Sequence, residues 1–206
     1  MLQKVKKEFL VSVDDGGELD IFVAELLKES GIKGIFYIPT NCDLSVEQIK
    51  ALAKDFEIGG HTEHHYQDLK LLNDETLYNE INNNKIWLEN IIGRKITKFC
   101  YPRGRYDERV KNAVKKAGYK EARITKVFCL DFPKDKFEIA TSIHCCPIRP
   151  EYKGANWLEL AKIAIKEVVK NGGRFELWLH SEEIMRYGEI EKLKKVLTFI
   201  SKSVVI

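Results

Sequence analysis

Short apolar runs alternate with amphipathic stretches along the whole chain, and most of the changes of period are marked by glycine or a capping residue. Residues 9–13, 34–38 and 175–179 are apolar on both faces, which predicts strands buried from either side. Shorter extended segments are expected over 57–60, 98–101, 120–124 and 137–144. Between them lie helical patterns over 18–30, 45–56, 74–92, 107–117, 156–170 and 190–200. Ser45 with Gln48 three residues on predicts a capping box, while Gly31, Gly93, Gly118 and Gly172-Gly173 predict helix ends. In the helix over 156–170, Trp157, Leu160, Ala161, Ala164 and Val168 form the expected buried stripe.

Buried strands joined by amphipathic helices require a parallel sheet, because parallel neighbours need a crossover long enough to cover the sheet. About seven βα units suffice to close or nearly close a barrel. At 206 residues the chain is short for an eight-unit barrel, so the expected fold is α/β, a distorted (β/α)7-type barrel, with residues 1–206 as one domain. Repeats and low-complexity linkers are absent from the sequence.

Composition narrows the function classes. Lys+Arg 34 against Asp+Glu 31 leaves a net charge of +3 with no basic stripe, so no nucleic-acid partner is expected. No apolar run reaches the roughly 18 residues of a membrane span, and the lysines of the first nine residues precede no signal-peptide core. Cys42, Cys100, Cys129, Cys145 and Cys146 lack metal-type pair spacing, which suits thiols in a reducing compartment and predicts a cytoplasmic location.

The residues with chemical potential fall just after strands. Asp14-Asp15 follows Val11-Ser12-Val13, His61 follows the strand at 57–60, Pro102-Arg103 follows 98–101, and His180 follows 175–179. In a parallel βα architecture those positions share one rim, where active sites are built. His61 and His65, four apart, lie on one face if they share a helical turn, and neutral imidazoles suit zinc and similar divalent metals. Alone, the spacing also fits a surface histidine pair, and His64 would point elsewhere. Adjacent Asp14 and Asp15 fit an N-cap for the helix near Glu18. On a rim shared with two histidines they also fit one metal ligand and one general base. His180 fits a core histidine or a general acid facing that base. Together, an ion with an open position, a base and an acid point to hydrolysis of an amide or ester.

These residues resemble the polysaccharide deacetylases, the NodB-homology carbohydrate esterases. A strand ending in Asp14-Asp15-Gly16 matches the first motif of that family, and His61-Thr62-Glu63-His64-His65 matches its second. Phe99-Cys100-Tyr101-Pro102-Arg103-Gly104 is similar to the third, and Trp178-Leu179-His180 approximates the fifth. The resemblance spans essentially the whole chain. It implies a divalent metal, usually zinc, held by Asp15, His61 and His65, with Asp14 as general base and His180 as general acid. It also implies an oxyanion donor at the backbone N–H of Arg103 and a buttress at Thr62. Tyr101, Arg103, Arg123 and Trp178 are expected beside a carbohydrate or sugar-precursor substrate.

The sequence departs from the family in places. Cys100 stands where many members carry an arginine that pairs with the catalytic aspartate, and Arg123 fits either a replacement for that charge or a surface salt bridge. Arg103, where tyrosine is common, fits an anionic substrate group or a solvated side chain. The fourth motif is not recognisable, and His144 fits packing better than the rim. The expected activity is removal of N-acetyl or a related acyl group from an amino-sugar-containing carbohydrate. The alternatives are hydrolysis of a non-sugar amide C–N bond and a non-catalytic metal-containing sugar-binding module.

Overall fold

Side chains alternate along each strand, and here the alternation separates two environments. In β1 (Lys7–Asp14) of the computed structural model, Val11 and Val13 join the main apolar core while Leu10, Ser12 and Asp14 take the other face. The described residues are 5–204, so the first part of the lysine-bearing N-terminal segment lies outside them.

After β1 come α1 (Asp20–Ser30), β2 (Lys33–Ile38), α2 (Val46–Asp55), β3 (Glu57–Gly60), α3 (Asp74–Ile92) and β4 (Lys98–Cys100). The second half contains α4 (Glu108–Lys116), β5 (Glu121–Arg123), β6 (Ile143–His144), α5 (Trp157–Asn171), β7 (Gly173–His180), α6 (Ser181–Arg186) and α7 (Ile190–Val204). Among the described residues the seven strands are all parallel, in the order β5-β4-β3-β2-β1-β7-β6. One segment meets both edges of this sheet. Ile139 bridges to Arg123 of β5, while Ile143 and His144 pair with Leu177 and Trp178 of β7. The sheet is thereby curled into a distorted (β/α)7 barrel.

Local chemistry accounts for the element ends. The Ser45–Gln48 capping box forms at α2, with Gln48 N–H donating to Ser45 Oγ at 3.2 Å and Ser45 N–H to Gln48 Oε1 at 2.7 Å. Asn73 caps α3, and Gly93 ends it at φ 69°, a left-handed conformation that costs glycine little. Phe36, Phe175, Leu177 and Leu179 are fully buried between sheet and helices, each worth about 1.5–3 kcal/mol of transfer free energy.

Three expectations change. The strand expected over 137–144 shrinks to the bridge at Ile139 and the two residues of β6, since this segment crosses between edges instead of running along one. In α5, Leu160 and Ala164 are only partly buried, and Leu158 and Ile165 occupy the core beside Trp157, Ala161 and Val168. Helix α6 was not expected.

Candidate active site at the C-terminal rim

Residues Asp14 and His180 are register partners at the ends of β1 and β7, so the parallel pairing alone brings base and acid candidates to one rim. Asp14 points into the barrel and is buried. Its Oδ2 accepts from Trp178 Nε1 at 2.8 Å and pairs with Arg123 Nη2 at close range. Cys100 Sγ lies 3.6 Å from the same oxygen. Burial works against ionisation, but the Arg123 guanidinium, with His61 and His180, holds the Asp14 carboxyl below the usual range.

The chain then breaks strand geometry. Asp15 takes φ 80° and Gly16 φ 66°, which rolls the Asp15 carboxylate over the barrel mouth instead of out toward the helices. A non-glycine residue there costs roughly 1–2 kcal/mol. A Cβ on Gly16 would lie 2.7 Å from Cys42 Cβ, so this turn needs glycine for space as well as for φ.

Asp15 Oδ1 lies 3.3 Å from His61 Nε2 and 3.3 Å from His65 Nε2. His61 donates from Nδ1 to the Cys100 carbonyl at 2.7 Å, which leaves the Nε2 lone pair directed at Asp15. His61 N–H is held by Asn84 Oδ1 at 2.9 Å, and Asn84 also donates to the Ile38 carbonyl at 3.0 Å. Burial and the neighbouring His61 push the His65 imidazole down to about 4, so it is neutral. These donor atoms lie within 4.8 Å of one another, and Asp15 Oδ1 is buried without a well-directed donor. Two imidazoles and an unsatisfied carboxylate oxygen form a donor set that suits a divalent cation.

Histidines 61 and 65 do not share a helical turn, contrary to the expectation from their spacing. Thr62 at φ 69° and His65 at φ 51° fold the segment into a loop, and His65 N–H donates to Thr62 Oγ1 at 3.1 Å. His64 turns outward, its Nδ1 2.6 Å from Glu80 Oε1. Neither Asp14 nor Asp15 caps α1, whose N-cap position is Leu19.

At His180, Nε2 faces Asp15 Oδ2 at 3.6 Å and Nδ1 faces Glu183 Oε2 at 3.1 Å. Burial opposes its charge, but the Glu183 bond and the charges of Asp14 and Asp15 hold its pKa up at about 9. Glu183 also faces His144 Nε2 at 3.1 Å, and the His144 ring lies flat on Trp178 with centroids 3.8 Å apart. Arg149 Nη1 is 3.3 Å from His144 Nδ1, which places the His144 proton on Nε2, facing Glu183. A cleft of about 550 Å³ opens over these groups, lined by Asp15, His65, Arg103, Trp178 and His180 among others. A larger hollow of about 810 Å³ lies at the opposite end of the strands, around Lys33, Lys98 and Arg174.

The family model for polysaccharide deacetylases matches residues 3–122, more than half of the chain. The chain belongs to the polysaccharide deacetylase family. No curated protein matches it. Among solved structures, the family 4 carbohydrate esterase from Streptomyces lividans in complex with acetate superposes with a TM-score of 0.67 at 11% identity, covering 98% of this chain and 89% of that one. A family 4 carbohydrate esterase pseudoenzyme from Bacillus anthracis gives 0.65 at 15% identity, covering 96% and 61%. The deacetylase PplD of Streptococcus pyogenes gives 0.59 at 18% identity, covering 65% and 62%. The chain thus spans about three fifths of the length of the latter two, and the likeness is one of fold.

Within that fold, two of the residues expected beside the substrate stand elsewhere. Tyr101 is fully buried and stacks on Tyr106 with centroids 4.7 Å apart. Arg123, 1% exposed, lies beneath Asp14 and between the rings of Tyr37 and Trp178, out of reach of the cleft. It is therefore no surface salt bridge, and its guanidinium meets Asp14 from a strand later in the chain than Cys100. Arg103 and Trp178 do line the cleft, Arg103 in a left-handed turn at φ 55°. His144, read as packing, is indeed buried against Trp178, while Glu183, Asn84 and Glu176 escaped sequence reasoning. Only Glu183 carried a local signal, lying three residues beyond His180.

Asp20 provides a test of site electrostatics. It is fully buried, its Oδ1 accepts from Ser181 Oγ at 2.6 Å, and its Oδ2 has no partner. Burial, then the nearby acids Glu182, Asp14 and Asp15, raise its pKa well above the ordinary 3.8, against the opposing Ser181 bond. A raised folded pKa contributes stability that is full below the unfolded value and is lost as pH rises through the folded one. Asp20→Asn keeps an acceptor for Ser181 and cannot ionise. Its stability relative to wild type should therefore rise between pH 4 and pH 8 in urea unfolding. A difference that stays constant over that range contradicts a buried, proton-holding Asp20.

Proposed function

We propose that the protein is a metal-dependent hydrolase that removes an N-acetyl or related acyl group from an amino-sugar-containing carbohydrate. One observation carries this reading. The Asp14 carboxylate paired with Arg123 and the His180 imidazole paired with Glu183 end adjacent strands at the Asp15–His61–His65 cluster. Pure binding requires neither.

Asp15, His61 and His65 would hold a divalent ion, with zinc favoured by the nitrogen-rich set. Bound there, the ion supplies Lewis-acid polarisation of the acyl carbonyl and acidifies water. Asp14 has its Oδ1 free of partners and takes the proton of the attacking water. The backbone N–H of Arg103, in the left-handed turn at the cleft edge, would donate to the oxygen on which negative charge develops. His180 gives its proton to the departing amine, and Glu183 keeps the imidazole turned toward the cleft. The indole of Trp178 walls the site while its N–H steadies Asp14. All five cysteines are free, which fits work in a reducing, cytoplasmic setting on a soluble or lipid-linked sugar precursor.

The test measures bound metal together with acetate release from an N-acetylated chitooligosaccharide and from a nucleotide N-acetylamino sugar. Acetate from either substrate supports the reading. A metal-loaded protein that binds these sugars and releases no acetate is a binding module instead.

A further inference from the structure

Charge continues below the site, through the inside of the barrel. Glu176 of β7 is 1% exposed and faces inward between Trp178 and Arg174. Its Oε1 accepts from Ser12 Oγ at 2.6 Å and stands 3.7 Å from Arg123 Nε. Its Oε2 meets Arg174 Nη2 at 2.5 Å, and Arg174 Nε faces Glu8 at 3.6 Å near the opposite end of the strands. Asp14, Arg123, Glu176, Arg174 and Glu8 thus alternate in sign along the barrel interior.

Asp14 alone does not determine how Arg123 sits. A guanidinium can offer a carboxylate any of several N–H edges, and Arg123 Nε and Nη1 have no well-directed partner of their own. The rings of Tyr37 and Trp178, 5.1 and 4.9 Å from its Cζ, fix the plane of the group but not its rotation within that plane. Glu176 Oε1, 3.7 Å from Nε, attracts that side of the group by charge and not by a hydrogen bond, while Nη2 goes to Asp14 and lies 2.9 Å from Cys100 Sγ. Ser12 and Arg174 hold Glu176 in turn.

We propose that Glu176, steadied by Ser12, is a positioning residue for the deacetylation, acting through Arg123 on the orientation of Asp14. The proposal rests on the deacetylase reading. A carboxylate that merely balanced two buried arginines would serve stability alone, and the two roles separate experimentally.

In Glu176→Gln, kcat for acetate release should fall roughly ten- to a hundredfold, the scale of a misplaced catalytic group, with KM and metal content unchanged. Ser12→Ala should fall in the same direction by a smaller factor, and it carries the test if Glu176→Gln does not fold. In an Arg123→Met background, Glu176→Gln should add no further loss, since its route to Asp14 is already gone. Nitrogen-15 NMR of labelled arginine reads the column without turnover. Arg123 should show slowly rotating, protected guanidinium protons in the wild type and averaged ones in either variant. A kcat within twofold of wild type in a folded Glu176→Gln protein overturns the proposal, as does an undiminished effect in the Arg123→Met background. If the wild type releases no acetate, the deacetylase reading falls, and the arginine signals decide the column on their own.

Discussion

Asp14→Asn should lower kcat by a factor on the order of 10³, within the range set by loss of a general base. Asparagine keeps the shape and the acceptor for the Trp178 indole, so the cleft and KM should change little. What disappears is the proton acceptor and the counter-charge for Arg123. Breaking a buried pair costs about 3–5 kcal/mol when the partner is left alone, but here Glu176 remains within 3.7 Å of the same guanidinium. The loss of stability in urea should accordingly be smaller than that range. Metal content should match wild type, because Asp15 and not Asp14 faces both imidazoles. A variant keeping a tenth of wild-type activity with its metal bound rules out Asp14 as the base.

Removal of divalent metal should be as damaging. Chelation is expected to take acetate release below detection, with recovery on adding zinc. Unfolding should follow the same cycle. At a free-ion concentration about a thousandfold above Kd, binding to the folded state adds about 4 kcal/mol. His61→Ala should reproduce the metal-free behaviour without chelator, since it deletes the imidazole whose tautomer the Cys100 carbonyl sets. His64→Ala is the control. That side chain pairs with Glu80 away from the cluster, so metal content should be unaffected. Full turnover by demonstrably metal-free protein would remove the metal from the mechanism.

Much of this molecule is legible in its residues. Helix α3 covers the expected 74–92 and ends at Gly93 as predicted, because capping is local chemistry settled within a few residues. The same holds for α2 and its capping box. The longer strands declare themselves through apolar runs, and their alternation with helices compels a parallel sheet. Helix α6 escapes because its six residues are too few to show a stripe. The segment over 137–144 reads as a strand because its composition is that of one, while its pairing is split between two edges.

The metal-ligand candidates come together as their order along the chain suggests, but not by the route that their spacing suggests. A spacing of four from His61 to His65 implies a helical turn, whereas two left-handed residues achieve the convergence in a loop. Backbone φ at Thr62 and His65 is imposed by contacts such as the Thr62 hydroxyl and the Asn84 amide, which no local pattern encodes.

Which elements form, in what order, and which end of the sheet carries the chemistry follow from periodicity and caps, since these depend on near neighbours along the chain. The partner of Asp14 does not. Cys100 and Arg123 sit at register positions of adjacent strands, and only the curl of the sheet places the Arg123 guanidinium under a carboxylate more than a hundred residues earlier. The same closure sets Glu183 and His144 behind His180, and Glu176 behind Arg123. Buried charges are tolerated only where opposite charges meet them, and that meeting is a property of the closed barrel and not of any stretch of sequence.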